Sequence, residues 1–220
     1  MKKIEIVILA ACFFAVAYQA KAEWNYEFSY GTAHYKADHN GRWIVEGYPR
    51  IEELTDTAMA AGVSYTTQKG FTFHGEYLNL GEVRVHTLAP SDPIYSPNSN
   101  NMHPDAELYS LPGRGTVAGA LLSVSKPIAQ FGPVSVHAEV GPYLFIHRWK
   151  ADYFRASTGE WLGGCETKAG VKVAPALGLY VRYSKHVDVG VRWMDIRTQG
   201  DRMCPGFAQD VYNGYVRLVF

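Results

Sequence analysis

This sequence predicts an all-β fold: eight antiparallel strands, joined in up-and-down order and closed into a transmembrane barrel with short periplasmic turns and long extracellular loops. Three observations predict it. Apolar and polar residues alternate with period two along nearly the whole chain after Ala22, while no apolar run there is long enough to cross a bilayer as a helix. The connections between alternating segments are short and long in turn. The last strand, NGYVRLVF, keeps its alternation up to a final aromatic, where a soluble domain ordinarily trails off in a polar tail.

At 220 residues the chain has the length of one domain, and its apolar fraction of 47% does not by itself announce a membrane protein. The N-terminal segment is more informative. Lys2 and Lys3 lead into an apolar run from Ile6 to Tyr18 that is too short to span a bilayer, and AKA at Ala20–Ala22 offers small residues to a signal peptidase. Residues 1–22 therefore read as a removed secretion signal and 23–220 as the barrel. LAAC at Leu9–Cys12 also looks like a lipoprotein cleavage box, but lipidation at Cys12 would leave Phe13, Phe14, Val16 and Tyr18 as an apolar mature terminus. Removing the signal takes away Lys2, Lys3, Lys21 and Glu5 and leaves a slight acidic excess with no polybasic segment, which gives no support to nucleic-acid binding.

The first strand is the clearest: WNYEFSY sets Trp24, Tyr26, Phe28 and Tyr30 on one side and Asn25, Glu27 and Ser29 on the other. Seven more segments alternate over 57–67, 71–87, 116–125, 134–148, 171–183, 187–196 and 209–220. Short turns fall at 68–70, 126–133 and 184–186, and long polar loops at 37–56, 88–115, 151–170 and 198–208. The second long loop is rich in Pro, Asn and Ser and reads as an irregular, mobile excursion rather than a ninth strand.

The faces follow from the phase. In the third strand Phe71, Phe73, Tyr77, Val83 and Val85 are expected to face lipid, with Thr72, His74, Glu76, Glu82 and Arg84 inside; in the sixth, Val171, Val173, Leu177, Leu179, Val181 and Tyr183 point out, and Lys172, Tyr180 and Arg182 point in. A one-residue slip would turn Arg or Lys towards acyl chains, at about 2–4 kcal/mol each near the midplane. The inward candidates are Glu27, Glu76, Glu82, Glu139 and Asp188 against Arg84, Lys172, Arg182, Arg192 and Arg217. Because an eight-stranded barrel is just wide enough to be filled by its own side chains, this balance reads as a paired interior network; a polar pathway for ions or small solutes is the alternative. Pro142 and Pro175 fall inside predicted strands, where each removes a ladder donor, and a bulge or a boundary position would accommodate them.

Past Ala22 two cysteines remain, Cys165 and Cys204, in a compartment that permits disulfides. Pairing them would close a loop of roughly 40 residues, for which chain entropy gives about 4 kcal/mol; two unpaired thiols in loops is the other reading. No histidine lies at zinc-ligand spacing from either, and nothing in the chain calls for a cofactor.

The last strand places Tyr212, Gly214, Val216, Leu218 and Phe220 on one face and Asn213, Tyr215 and Arg217 on the other. Together with HGEYLNLGEV (74–83), FGPVSVHAEVGPYLF (131–145), APALGLYVRY (174–183) and VDVGVRWMDI (187–196), it resembles the eight-stranded OmpA-like and OmpX-like group of bacterial outer-membrane barrels. The resemblance covers most of 23–220 and implies residence in the outer membrane among its lipid and lipopolysaccharide. It also implies insertion by the barrel-assembly machinery through a C-terminal signal at Tyr212, Val216, Leu218 and Phe220, and loops exposed at the cell surface. Unlike in full-length OmpA, no peptidoglycan-binding domain is expected here, so anchoring to the cell wall is not implied.

Activity is less legible. Lipid A-modifying barrels need a nucleophile and a base at the outer rim, yet His34, His103 and His147 have no serine in a recognisable local pairing, and Ser184 with His186 lies in a periplasmic turn. The chain is also too short for the ten-stranded omptin proteases. The residues therefore favour a non-enzyme with a surface-contact role such as adhesion or colonisation, in which Trp43, Tyr48, Tyr95, Tyr109, Tyr153 and Trp161 would meet a host or extracellular ligand. A structural membrane component and a narrow pore are the other readings.

Overall fold

The computed structural model describes residues 23–37, 50–90, 108–167, 170–197 and 208–220. Among these, ten strands form one sheet: β1 (Glu23–Ala37), β2 (Arg50–Glu53), β3 (Thr55–Thr66), β4 (Thr72–Pro90), β5 (Leu108–Phe131), β6 (Val134–Arg155), β7 (Trp161–Glu166), β8 (Lys172–Ser184), β9 (Val187–Met194) and β10 (Ala208–Val219).

Antiparallel ladders run β1–β3–β4–β5–β6–β8–β9–β10 and back to β1, so the sheet closes on itself. The two remaining strands do not add staves. The short strand β2 continues β3 along the upper edge of β4, and β7 stands above β8 along the upper edge of β6. The fold is therefore an eight-staved, up-and-down transmembrane barrel. At the seam the backbone of Tyr26 and Phe220 exchanges two hydrogen bonds of 3.0 Å, which carries the pairing of β1 and β10 to the last residue.

The outer wall carries an apolar belt of Trp24, Tyr26, Phe28 and Tyr30 on β1, Leu177, Leu179 and Val181 on β8, and Val216 and Leu218 on β10 with Phe220 just beyond it, all exposed to the barrel's surroundings. Alternate residues on the same strands, such as Glu27, Tyr180 and Arg217, are buried inside. A contiguous exposed apolar band around a closed barrel is the surface a hydrocarbon core requires.

Four expectations need correction. The ladders run further than the alternation suggested: β2 and the start of β3 lie inside the stretch read as the first long loop, and β4 and β5 pair from Thr72↔Ser125 up to Pro90↔Leu108, so 50–53, 55–56, 88–90 and 108–115 are strand rather than loop. Likewise β6 continues to Arg155 and is joined by β7, inside the stretch read as the third long loop. The short turn read at 126–133 narrows to Gly132 and Pro133, because β5 continues to Phe131 across a bulge at Pro127/Ala129. The fourth concerns the upper part of β4. Its register slips between Asn79 and Glu82, and this bulge inverts the alternation above it: Val83 and Val85 are buried inside while Glu82 and Arg84 turn outward. The rest of the second long loop, and residues 1–22, lie outside the described residues.

The bulge is built locally. Gly81 takes φ +79°, its N–H donates to Asn79 Oδ1 at 3.0 Å, and the Glu82 N–H donates to Asp56 Oδ2 at 2.6 Å. A Cβ at Gly81 would stand 2.5 Å from Asp56 Oδ2 and 2.7 Å from the Thr57 carbonyl oxygen.

Pro142 and Pro175 prove to be register partners across β6 and β8. The Pro175 carbonyl accepts from the Asp195 N–H on its other side, so the two prolines meet at a non-hydrogen-bonded position where no donor is required between their strands.

Replacing Gly81 by Val forces a β-branched residue into a left-handed backbone and into contact with Asp56. Urea unfolding in detergent is expected to show a loss of about 1–3 kcal/mol.

Candidate functional site

The bore contains two layers of opposite character. The layer towards the short turns is polar. Inward phases of all eight staves supply it: Glu27, Ser64, His74 and Glu76, Ser123 and Ser125, His137 and Glu139, Tyr180 and Arg182, Asp188 and Arg192, Tyr215 and Arg217. Four carboxylates there face three guanidiniums and the His74 imidazole.

Arg217 is the hub. Its Nη2 lies 2.8 Å from Glu76 Oε1 and 3.4 Å from Glu139 Oε2, its Nε 3.8 Å from Glu27 Oε2 and its Nη1 3.8 Å from Asp188 Oδ2. Arg192 donates to Glu139 Oε1 at 2.9 Å and to Glu76 Oε2 at 3.4 Å, and Arg182 grips Asp188 with two bonds of 2.8 and 3.0 Å. The Ser123 and Tyr215 hydroxyls donate to the two oxygens of Glu139. The guanidinium of Arg192 lies 4.7 Å from the Tyr215 ring centre, adding a cation–π contact.

Of the ten charged residues the sequence assigned to the interior, the structure brings seven together: Glu27, Glu76, Glu139, Asp188, Arg182, Arg192 and Arg217. Glu82 and Arg84 are instead paired with each other on the outer wall at 2.8 Å, as the bulge dictates. Lys172 starts β8 opposite Phe145, at the level of the apolar layer, and makes no ion pair among the described residues.

A hydrogen-bonded relay crosses the same layer. Glu27 Oε2 meets His74 Nδ1 at 2.9 Å, His74 Nε2 meets Ser125 Oγ at 2.9 Å, and Ser125 meets the Tyr180 hydroxyl at 2.8 Å. Tyr180 continues to His137 Nδ1 at 3.2 Å, and His137 Nε2 to Ser135 Oγ at 2.9 Å. Sequence reading missed this relay because its members come from β1, β4, β5, β6 and β8, and only the strand register brings them together. Carboxylate, imidazole and hydroxyl follow the order of a hydrolytic triad. The chemistry stops there, since Ser125 is 1% exposed and its oxygen already serves Tyr180, which leaves no space for an acyl group beside it.

Glu27, His74 and Glu76 also bring ligand atoms within 4.8 Å of one another. Each is already engaged, Glu27 by His74, His74 by Ser125 and Glu76 by Arg217, and the guanidiniums of Arg192 and Arg217 stand where a cation would add like charge. The donor set suits arginine better than a metal ion.

Above the polar layer the bore is apolar. Leu78, Leu80, Val117, Leu121, Phe145 and Met194 pack across it, and the hydroxyls of Tyr35 and Tyr143 are satisfied by the Leu80 and Leu78 carbonyls at 3.1 and 3.0 Å. Higher still, Trp149 fills the bore over Gly113, where a Cβ would lie 2.3 Å from the indole Cζ2.

Tyr109 and Tyr153, expected among the loop aromatics, are half-buried against this apolar layer because their segments are strand. Trp161 is exposed, with its indole N–H directed to Asp152. Trp43, Tyr48, Tyr95, His103 and Cys204 lie outside the described residues; Cys165 sits on β7 opposite Ala151. Among the other histidines, His34 meets Thr55 on the outer wall, His147 is buried in the bore, and His186, in the short turn between β8 and β9, bonds the Ser184 hydroxyl and the Val219 carbonyl.

No protein-family model and no curated relative matches the sequence. Among solved structures, the chain is similar to Ail, the attachment invasion locus protein of Yersinia pestis, in a complex with the heparin analogue sucrose octasulfate: TM-score 0.47, 11% identity, 90% of this chain and 99% of that one. It is also similar to Neisserial surface protein A, at TM-score 0.39 and 13% identity over 91% of this chain and 100% of that one. By its own closed ladder and apolar belt the chain has the architecture of an eight-staved transmembrane β-barrel.

Two outcomes follow from the interior. Arg217→Ala leaves four carboxylates short of their shared partner and is expected to cost about 3–5 kcal/mol in detergent unfolding. A fluorophosphonate probe is expected to leave Ser125 unlabelled in the folded barrel, as read by mass spectrometry of its peptide.

Proposed function

We propose that this chain is a bacterial outer-membrane surface protein whose sealed barrel holds a raised β-extension and its loops outside the cell for contact with an extracellular or host ligand, as in adhesion or colonisation. The length of the strands carries the reading. A tilted strand of about 9–11 residues crosses the membrane, whereas β4, β5 and β6 have 19, 24 and 22. The part of that excess beyond the belt on the side of the long loops bears β2 and β7 and turns polar side chains outward around an apolar filling. An ordered platform lowers the entropic cost of binding through the loops it carries.

The filled bore argues against a pore, and the enclosed Ser125 argues against a hydrolase. In the same reading residues 1–22 are removed on export, and the mature chain begins at Glu23. The barrel-assembly machinery inserts it through the terminal strand face Tyr212, Val216, Leu218 and Phe220, and Cys165 is joined to Cys204 across the extracellular end.

Pro90 and Leu108 are register partners, so a short Gly-Ser turn can replace 91–107 without disturbing the ladder. Cells displaying that variant, or Trp161→Ala, are expected to keep the heat-modifiable gel mobility of a folded barrel but to lose attachment to host cells or matrix. Undiminished attachment by both would refute the contact role. In planar bilayers the protein is expected to conduct no more than a barrel-free control, and conductance above it would revive the pore.

A further inference from the structure

On the outer wall immediately above the apolar belt, Arg114, Arg148 and Lys150 stand without an ion-pair partner among the described residues. Across β2, β4, β5, β6 and β7 the successive register partners are Glu53, Arg84, Arg114, Lys150 and Glu166, which makes Arg84, Arg114 and Lys150 direct cross-strand neighbours. In the row beneath, Glu82, Thr116 and Arg148 are partners in the same way. Like charges directly opposite one another destabilise a sheet, so this arrangement opposes folding unless something else neutralises it.

Nearby acids do so only in part. Glu82 is taken by Arg84, and Asp152 accepts from the Trp161 indole. Arg114, Arg148 and Lys150 are exposed and make no ion pair among the described residues. A groove of about 410 Å³ runs beside Arg114 and Lys150, with Arg84, Glu53, Glu82 and Asp152 also in its lining, and Arg148 stands in the row beneath it.

What lies below the cations names the occupant. On β6 the outward residues preceding Arg148 are Val140, Pro142, Leu144 and Ile146, and on β4 Tyr77 lies exposed below the bulge. The same wall therefore offers an apolar surface for chains and, one step higher, guanidinium and ammonium groups for an anion. Arginine matches phosphate oxygens bidentately, and lysine supports them as a point charge.

We propose that Arg114, Arg148 and Lys150 form a binding site for the phosphate groups of an outer-leaflet glycolipid, whose acyl chains lie on the belt beneath. The inference rests on the outer-membrane reading above. It is independent of any host ligand.

To test it, full-length mature chain refolded in detergent is incubated with bis-phosphorylated lipid A or with the same lipid stripped of phosphate, then exchanged into fresh detergent, and retained lipid is measured by mass spectrometry. Phosphorylated lipid is expected to be retained, with each lost cation weakening retention roughly fivefold in R114Q, R148Q and K150Q combinations. Retention should fall at roughly 0.5 M salt, and K126Q/K185Q, on the opposite side of the belt, should behave as wild type. Equal retention by the triple variant, equal retention of the dephosphorylated lipid, or complete competition by inorganic phosphate would overturn the site. Should the triple variant fail to fold, R114Q alone and the salt series decide. Fractionation of expressing cells runs alongside: a chain outside the outer membrane sinks the earlier reading, whereas unchanged retention by a membrane-located triple variant sinks only this proposal.

Discussion

The structure depends on one constraint: a backbone N–H or C=O left without a partner in hydrocarbon costs several kcal/mol, so a sheet that crosses a membrane has to close. Here closure is the pairing of β1 with β10, from Glu27↔Val219 upward to Lys36↔Asp210, completed below by the reciprocal bonds of Tyr26 and Phe220. Once eight staves form a ring, the bore is too narrow to hold much besides side chains. What the inward positions carry then determines whether the barrel is a channel, a reaction vessel or a plug. This one is a plug of two kinds, ionic below and apolar above.

At the top of the wall the filling follows from what surrounds it. Beside acyl chains the outer face has to be apolar, and the inner face is free to carry charge if the charges pair. Above the belt the outer face meets water and the logic reverses: Arg84, His86 and Arg114 point out, while Val83, Val85 and Leu111 fill the inside as in a soluble barrel. The strands thus pass from membrane protein to water-soluble protein without leaving the ladder. On β4 the change of environment is matched by a bulge at Gly81 that resets the phase.

That reversal explains what the sequence could and could not reveal. Alternation is legible wherever one face is uniformly apolar, so Trp24–Tyr30 and Val171–Tyr183 disclosed both strand and phase. Above the belt, alternation persists with its meaning inverted, and a reader who carries the lower phase through Glu82 and Arg84 places both on the wrong side. The bulge has only Asn79 and Gly81 as local signals, and its partner Asp56 is distant in sequence. The charged members of the interior site were legible because charge at an inward phase is conspicuous. The relay through His74, Ser125, Tyr180 and His137 was not, since serine and histidine at those phases acquire meaning only when the register of five strands is known.

The ionic layer raises the question of why charges are kept where apolar residues would pack. Buried ion pairs contribute little net stability, because the desolvation they require nearly cancels their attraction. Their larger effect is on the alternatives. A one-residue slip of β9 or β10 would present Arg192 or Arg217 to lipid, at about 2–4 kcal/mol each near the midplane, and would strip Glu76 and Glu139 of their partners inside. An apolar bore would impose no such penalty, since both faces of each strand would then tolerate either environment. The network therefore acts chiefly on register, by making the slipped barrels expensive. It does so through Arg217, which reaches carboxylates on β1, β4, β6 and β9 and so ties the closing strand to both sides of the ring at once.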